Sequence, residues 1–89
     1  MSDFAAVFHD NFRENLRFWV KVDRKIVIKI LEIVEATLRQ PFEGLGKPEP
    51  LKHHFSGAWS RRITQEHRLV YRVTKDQIIF LSCRYHFKQ

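Results

Sequence analysis

The chain reads as an α+β fold, an N-terminal strand and a helical hairpin packed on an antiparallel sheet, and two observations carry that reading. In the first half, apolar residues recur at helical spacing: Phe12, Leu16, Trp19 and Val20 at i, i+4, i+7 and i+8, then Ile26, Ile30 and Val34 in a row. After Pro50 the period falls to two. Trp59, Arg61 and Ile63 alternate with Ser60, Arg62 and Thr64, and Leu69, Tyr71 and Val73 alternate with Arg68, Val70 and Arg72. Helices first and strands after, without internal repeats, give the α+β class. With 89 residues, 44% hydrophobic and 29% charged, the chain is expected to form one ordered domain over residues 1–89.

The segment Phe4-Ala5-Ala6-Val7-Phe8 is short, apolar and bounded by polar residues, which predicts a buried first strand. Asp10 or Asn11 is the expected cap of the first helix, which breaks near Val22. Asp23 then caps a longer helix, with Val27 and Leu31 as a second apolar row and Lys29, Glu32 and Glu35 on the wet side. Pro41 ends it. Residues 41–50, holding Gly44, Gly46, Pro48 and Pro50, read as a loop, and a loop of about ten residues in so small a chain is often functional. A tight turn at Lys75-Asp76 leads into a last strand from Gln77 to His86.

Alternation also assigns faces. If Leu69, Tyr71 and Val73 face the helices, then Arg68 and Arg72 point away from them, and the same parity puts Arg62 and His86 outward. Three strands thus aim cations at one surface. Ile78 and Phe80 share the parity of His86, which leaves that face partly apolar unless the strand bends or a partner covers it.

The charge is placed to match. Residues 1–43 hold 7 Lys/Arg and 7 Asp/Glu, whereas residues 44–89 hold 9 and 3, so the net +6 lies entirely in the second half. With a pI near 9.9, nucleic acid is the leading partner, although an acidic protein or an anionic membrane surface would feel the same field. No apolar stretch is long enough to cross a bilayer, and Met1-Ser2-Asp3 opens no signal peptide, so a cytoplasmic protein is expected. The single cysteine, Cys83, excludes an intramolecular disulfide and fits a reducing compartment.

Several chemistries are poorly supported. Cys83 with His86 is one ligand pair and His53-His54 are adjacent, so no closed four-ligand spacing exists; neither metal nor other cofactor is expected. Gly44 and Gly46 precede Lys47 without the phosphate-loop pattern, and there is no Ser-His-Asp signature. What remains is acid–base chemistry. Glu49, between Pro48 and Pro50, is a carboxylate on a stiffened loop, suited to a positioned base although composition alone favours a solvated loop acid. Lys52, Arg61, Arg62 and Arg68 are ordinary strand and loop cations taken singly, but converging guanidinium groups can hold phosphate and stabilise charge developing during phosphoryl transfer. His86, after Arg84-Tyr85, can titrate near neutrality as a general acid, or be merely an exposed near-terminal histidine. His9, His53, His54 and His67 have no partner at recognisable spacing and read as structural or surface groups. Trp19 and Trp59 are assigned to packing, and Phe55 and Phe87 are the aromatics best suited to stack on RNA bases.

The run Pro41-Phe42-Glu43-Gly44, then Gly46-Lys47-Pro48-Glu49-Pro50-Leu51-Lys52-His53, then Ser56-Gly57 with Trp59-Ser60-Arg61-Arg62-Ile63-Thr64, resembles the YoeB-type toxins of the RelE superfamily. Glu66-His67-Arg68-Leu69-Val70-Tyr71 and Cys83-Arg84-Tyr85-His86 continue the resemblance, which covers about half the chain closely and the helical half by pattern. It implies a RelE-like microbial ribonuclease fold and a messenger-RNA interferase. Such an enzyme cuts message in the aminoacyl site of the ribosome, is neutralised by a YefM-like antitoxin, is commonly a homodimer, and meets operator DNA only together with the antitoxin.

By position the resemblance implies Glu49 as general base, His86 as general acid and Arg68 as the main phosphate-stabilising residue, with Lys52 and Arg62 as supporting cations. The family usually ends in Tyr-His-Tyr with the last tyrosine in the active site, whereas this chain reads Tyr85-His86-Phe87 and extends by Lys88-Gln89. A phenol hydroxyl is therefore missing. If the ring serves by stacking on a base, Phe87 suffices; if the hydroxyl orients substrate, activity is weakened. The competing readings are a basic RNA- or ribosome-binding protein without catalysis, and a purely regulatory corepressor.

Overall fold

The computed structural model describes residues 4–52 and 57–85. The apolar periodicity of the first half becomes two helices, α1 over Asp10–Val22 and α2 over Arg24–Arg39. Asp23 alone joins them. Its N–H donates to the Trp19 carbonyl at 2.8 Å, closing α1, and its carboxylate accepts from the Lys25 N–H at 3.1 Å, opening α2 as the sequence predicts. The cap of α1 is His9 rather than Asp10 or Asn11: its backbone is extended, and its Nδ1 accepts from the Asn11 N–H at 3.2 Å. Asp10 is already in the first turn, where its carboxylate pairs with Arg13 at 2.6 Å. The second helix stops before Gln40, because the residue preceding Pro41 is driven out of the helical region.

Phe12, Trp19, Ile30 and Val34 are buried and Leu16 packs against them, as the spacing predicts, but Val20 and Leu31 are exposed. The buried stripe of α2 is Ile30, Ile33, Val34 and Thr37, rotated away from the Val27–Leu31 row. Thr37 can lie there because its hydroxyl donates to the Ile33 carbonyl at 2.7 Å.

Five strands form one sheet in the order β1-β5-β4-β3-β2, with β1 Ala5–Phe8, β2 Glu49–Pro50, β3 Ala58–Arg62, β4 Arg68–Val73 and β5 Gln77–Ser82. Neighbours are antiparallel except β1, which runs parallel to β5 and makes the sheet mixed. The expected buried first strand is instead an edge: all four residues of β1 are exposed, and Phe8 reaches inward to stack on Phe80 at 5.2 Å and meet Phe12 at 5.4 Å between ring centres. A short apolar run does not distinguish an edge strand from a central one. Glu49 and Pro50, expected in the loop, form the opposite edge, where a proline lacking an N–H is tolerated. The last strand ends at Ser82, four residues before His86.

The parity conflict at Ile78 and Phe80 is resolved by an irregularity in β5. Val73, Arg72 and Tyr71 oppose Ile78, Ile79 and Phe80, but Val70 opposes Ser82, so Leu81 is one residue too many. Ile78 and Phe80 therefore face the helices, in the core with Phe12, Ile30, Leu69 and Tyr71, and so does Cys83, three residues beyond Phe80. The far face keeps a small apolar floor of Leu51, Ala58 and Val70 beneath Leu81.

Candidate active site

Pairing register builds the far face. Glu49 lies opposite Ser60 and Ser60 opposite Val70, forming one row across β2, β3 and β4; one step along, Arg62 lies opposite Arg68. Residues two apart on a strand share a face, and diagonal cross-strand neighbours lie roughly 7–8 Å apart, so Glu49 and Arg62 are diagonal neighbours, with Arg68 one strand farther. Arg72 is on this face too, opposite Ala58. Lys52 lies just beyond the end of β2 and is exposed.

Electrostatics tie these groups together. Partial burial lowers the pKa of the Arg68 guanidinium, the neighbouring Arg62 lowers it further, and the Glu49 carboxylate raises it. An arginine remains charged through such shifts. Among the described residues the ion-pair distance is met by Arg13 and Asp10 but not by Glu49 with Arg62 or Arg68. Nη1 of Arg68 is committed differently: it donates to the carbonyls of Thr64 at 2.7 Å, Gln65 at 3.1 Å and His67 at 3.1 Å, which stops the guanidinium from swinging. The face therefore presents a carboxylate and fixed positive charge side by side, an arrangement that can take a proton and hold an anion.

The loop that leads into Glu49 is held by Arg61, a residue expected among the phosphate-holding cations. Arg61 points to the helix side of β3 and is fully buried. Its guanidinium donates to the carbonyls of Gln40, Leu45 (2.9 Å) and Glu43 (3.1 Å), and its Nε to the Tyr71 hydroxyl at 3.2 Å. Tyr71 in turn donates to the Pro41 carbonyl at 2.6 Å; burial raises its pKa, against the opposing pull of Arg61. Residues 40–45 are thus pinned from beneath. At the next step the Arg62 N–H donates to the Gly46 carbonyl at 2.7 Å. Gly46 has a φ of +84°, and a Cβ there would stand 3.0 Å from the Arg62 carbonyl, so the loop can lie this close only at a glycine. The alternation that set Arg61 apart from Arg62 was the available signal for the buried role.

Beyond β5 the chain is fastened at several points. The Trp19 indole donates to the Cys83 carbonyl at 2.9 Å and the Cys83 N–H to the Asn15 side chain at 3.0 Å. The Arg84 guanidinium lies over the Phe18 ring at 3.5 Å. Tyr85 is bonded at both ends of its backbone, its N–H to His67 Nδ1 at 2.7 Å and its carbonyl to the Arg68 N–H at 2.9 Å. His86 and Phe87, with His53, His54 and Phe55, lie outside the described residues. The structure thus brings Glu49, Arg62 and Arg68 to one face, leaves Lys52 at its border, and carries the chain to Tyr85 beside Arg68. Trp19 is buried, and Trp59 is half-buried against Phe42 at 4.9 Å. No three His, Cys, Asp or Glu among the described residues come close enough to hold a metal ion, and no described helix is long and apolar enough to cross a membrane.

Cys83 is fully buried, and burial pushes its thiol up to about 12. The attacking species in alkylation is the thiolate, absent at pH 8.5 in the fold but about half populated in an unfolded chain. Iodoacetamide at that pH is expected to leave the native protein unlabelled over a time that labels it fully in denaturant, as read by intact-mass spectrometry.

Comparison with known proteins agrees with this fold. Residues 8–87 match the model of the YoeB-like toxin of bacterial type II toxin-antitoxin systems. The chain is 61% identical over 70 residues to toxin YoeB of Escherichia coli O6:H1, covering 79% of this chain and 83% of that toxin. It superposes on the YoeB dimer from Staphylococcus aureus with a TM-score of 0.87 at 39% identity, covering 97% of this chain and 100% of the other. The same organism's heterotetrameric YoeB-YefM toxin-antitoxin complex gives 0.82 at 40% identity, covering 94% and 98%.

Proposed function

Because the chain belongs to the YoeB-like toxins of bacterial type II toxin-antitoxin systems, we propose that it is an endoribonuclease that cuts messenger RNA in the aminoacyl site of the ribosome with its own side chains. The observation that supports this reading is the far face of the sheet, where the Glu49 carboxylate shares a face with Arg62 and Arg68 without closing an ion pair to either. In the proposed reaction Glu49 takes the proton of a ribose 2′-hydroxyl, whose oxygen attacks the adjacent phosphorus. Arg68, with Arg62 and Lys52, steadies the negative phosphorane, and His86 gives its proton to the departing 5′-oxygen. The products are a 2′,3′-cyclic phosphate and a 5′-hydroxyl. Phe87 stacks on a base beside the cut. A YefM-like antitoxin, a second copy of the chain and, with the antitoxin, operator DNA are the proposed partners; the YoeB dimer and the YoeB-YefM heterotetramer support the first two. The basic second half suits both an acidic antitoxin segment and RNA.

End chemistry tests the reading. A defined message translated in vitro with added protein should acquire ribosome-dependent cuts bearing cyclic phosphates and 5′-hydroxyls, mapped by primer extension and phosphatase sensitivity. A metal-directed hydrolysis through an activated water would leave no cyclic phosphate. Intact message despite ribosome binding would make the protein a binding module in which Phe87 has replaced a needed hydroxyl.

A further inference from the structure

We propose that His67 is a positioning residue for cleavage: its Nδ1 fixes the backbone of Tyr85 beside Arg68, the point from which the chain continues to the proposed general acid, His86. This rests on the nuclease reading above. Tyr85 has a φ of +64°, a left-handed conformation that is costly for a non-glycine residue unless its surroundings determine it. Here two bonds determine it, the N–H to His67 Nδ1 at 2.7 Å and the carbonyl to the Arg68 N–H at 2.9 Å.

His67 is itself immobilised. Its carbonyl accepts from the Ile63 and Thr64 N–H groups at 2.9 and 3.2 Å, its N–H donates to the Thr64 hydroxyl at 3.1 Å, and its ring meets Trp19 edge-on at 4.7 Å. Because Trp19 also holds the Cys83 carbonyl, α1 and the β3–β4 hairpin grip residues 83 and 85 independently. An Nδ1 that accepts leaves the neutral ring with its proton on Nε2. The link lies at the exposed end of the sheet, where one hydrogen bond contributes little to stability. Its consequence is placement: a general acid must come within hydrogen-bond reach of the leaving oxygen, and a misplacement of about 1 Å can cost on the order of a hundredfold in rate.

Three substitutions separate placement from packing. His67→Asn puts an amide acceptor where Nδ1 stands, His67→Gln puts it about where Nε2 stands, and His67→Phe keeps a ring on Trp19 with no acceptor. Single-turnover cleavage on programmed ribosomes should fall about ten- to a hundredfold in His67→Phe and His67→Gln, with half-saturating concentration within about twofold, and recover to within about threefold of wild type in His67→Asn. Hydrogen exchange of the Tyr85 amide should be protected in wild type and His67→Asn only. Equal rates in all four proteins, or a loss in His67→Asn as deep as in His67→Phe, would overturn the positioning role and leave the nuclease reading intact. Wild-type protein that leaves message uncut would overturn the nuclease reading and this role with it.

Discussion

Glu49→Gln is expected to slow message cleavage by about a hundred- to ten-thousandfold while leaving the thermal midpoint and ribosome binding close to wild type. The amide matches the carboxylate in shape and keeps the strand pairing of Glu49 with Ser60, because that pairing is made by the backbone. It cannot take a proton. No salt bridge is lost, since Glu49 closes none with Arg62 or Arg68. A single-turnover assay with matched circular-dichroism melts checks both halves; cleavage at the wild-type rate would remove Glu49 from the role of base. Arg68→Ala should slow cleavage similarly and also loosen the β3–β4 hairpin, whose carbonyls at Thr64, Gln65 and His67 lose their shared donor.

The second large effect concerns stability. Arg61→Ala is expected to lower the unfolding free energy by about 3 kcal/mol, a sizeable part of the roughly 5–15 kcal/mol typical of a domain, whereas the neighbouring Arg62→Ala should stay within about 0.5 kcal/mol. Arg61 is fully buried and serves three loop carbonyls and the Tyr71 hydroxyl; Arg62 is exposed. Urea denaturation measures the difference. Arg61→Lys should restore little, because a compact ammonium cannot reproduce the planar fork that reaches several acceptors. Equal effects of the two alanine substitutions would show that residues 40–45 are held by something other than Arg61.

The contrast between these adjacent arginines shows what could be read in advance. Alternation assigned their opposite faces correctly, as it did for Leu69, Tyr71 and Arg68, because the pleat fixes side-chain direction whatever the partner strand does. It could not show that Arg61, facing the helices, meets backbone carbonyls from a loop about twenty residues earlier; that depends on where residues 40–45 travel, which no local period encodes. The helix break at Asp23 was legible because the cap is local, and the cap at His9 was missed because an imidazole acceptor is less common there than a carboxylate. For the candidate site, the face shared by Glu49, Arg62 and Arg68 follows from the observed register, whereas in the sequence Glu49 was a loop carboxylate whose strand could not be assigned. His67 had no legible partner, since Tyr85 lies eighteen positions away and joins it through a backbone N–H.

The last strand is sensitive to length as well as to composition everywhere except at the surplus residue Leu81. Substitutions there change only side chains, and several would be accommodated. Loss of the codon for Leu81 would restore plain alternation and still leave Phe80 and Cys83 on the core face, since residues two apart share a face, whereas loss of the codon for Ile79 would make Ile78 and Phe80 successive residues facing opposite ways and take one of them out of the core. Descendants of this gene should therefore vary in spelling across the segment more readily than in the number of letters, with position 81 the one place where a letter can be dropped.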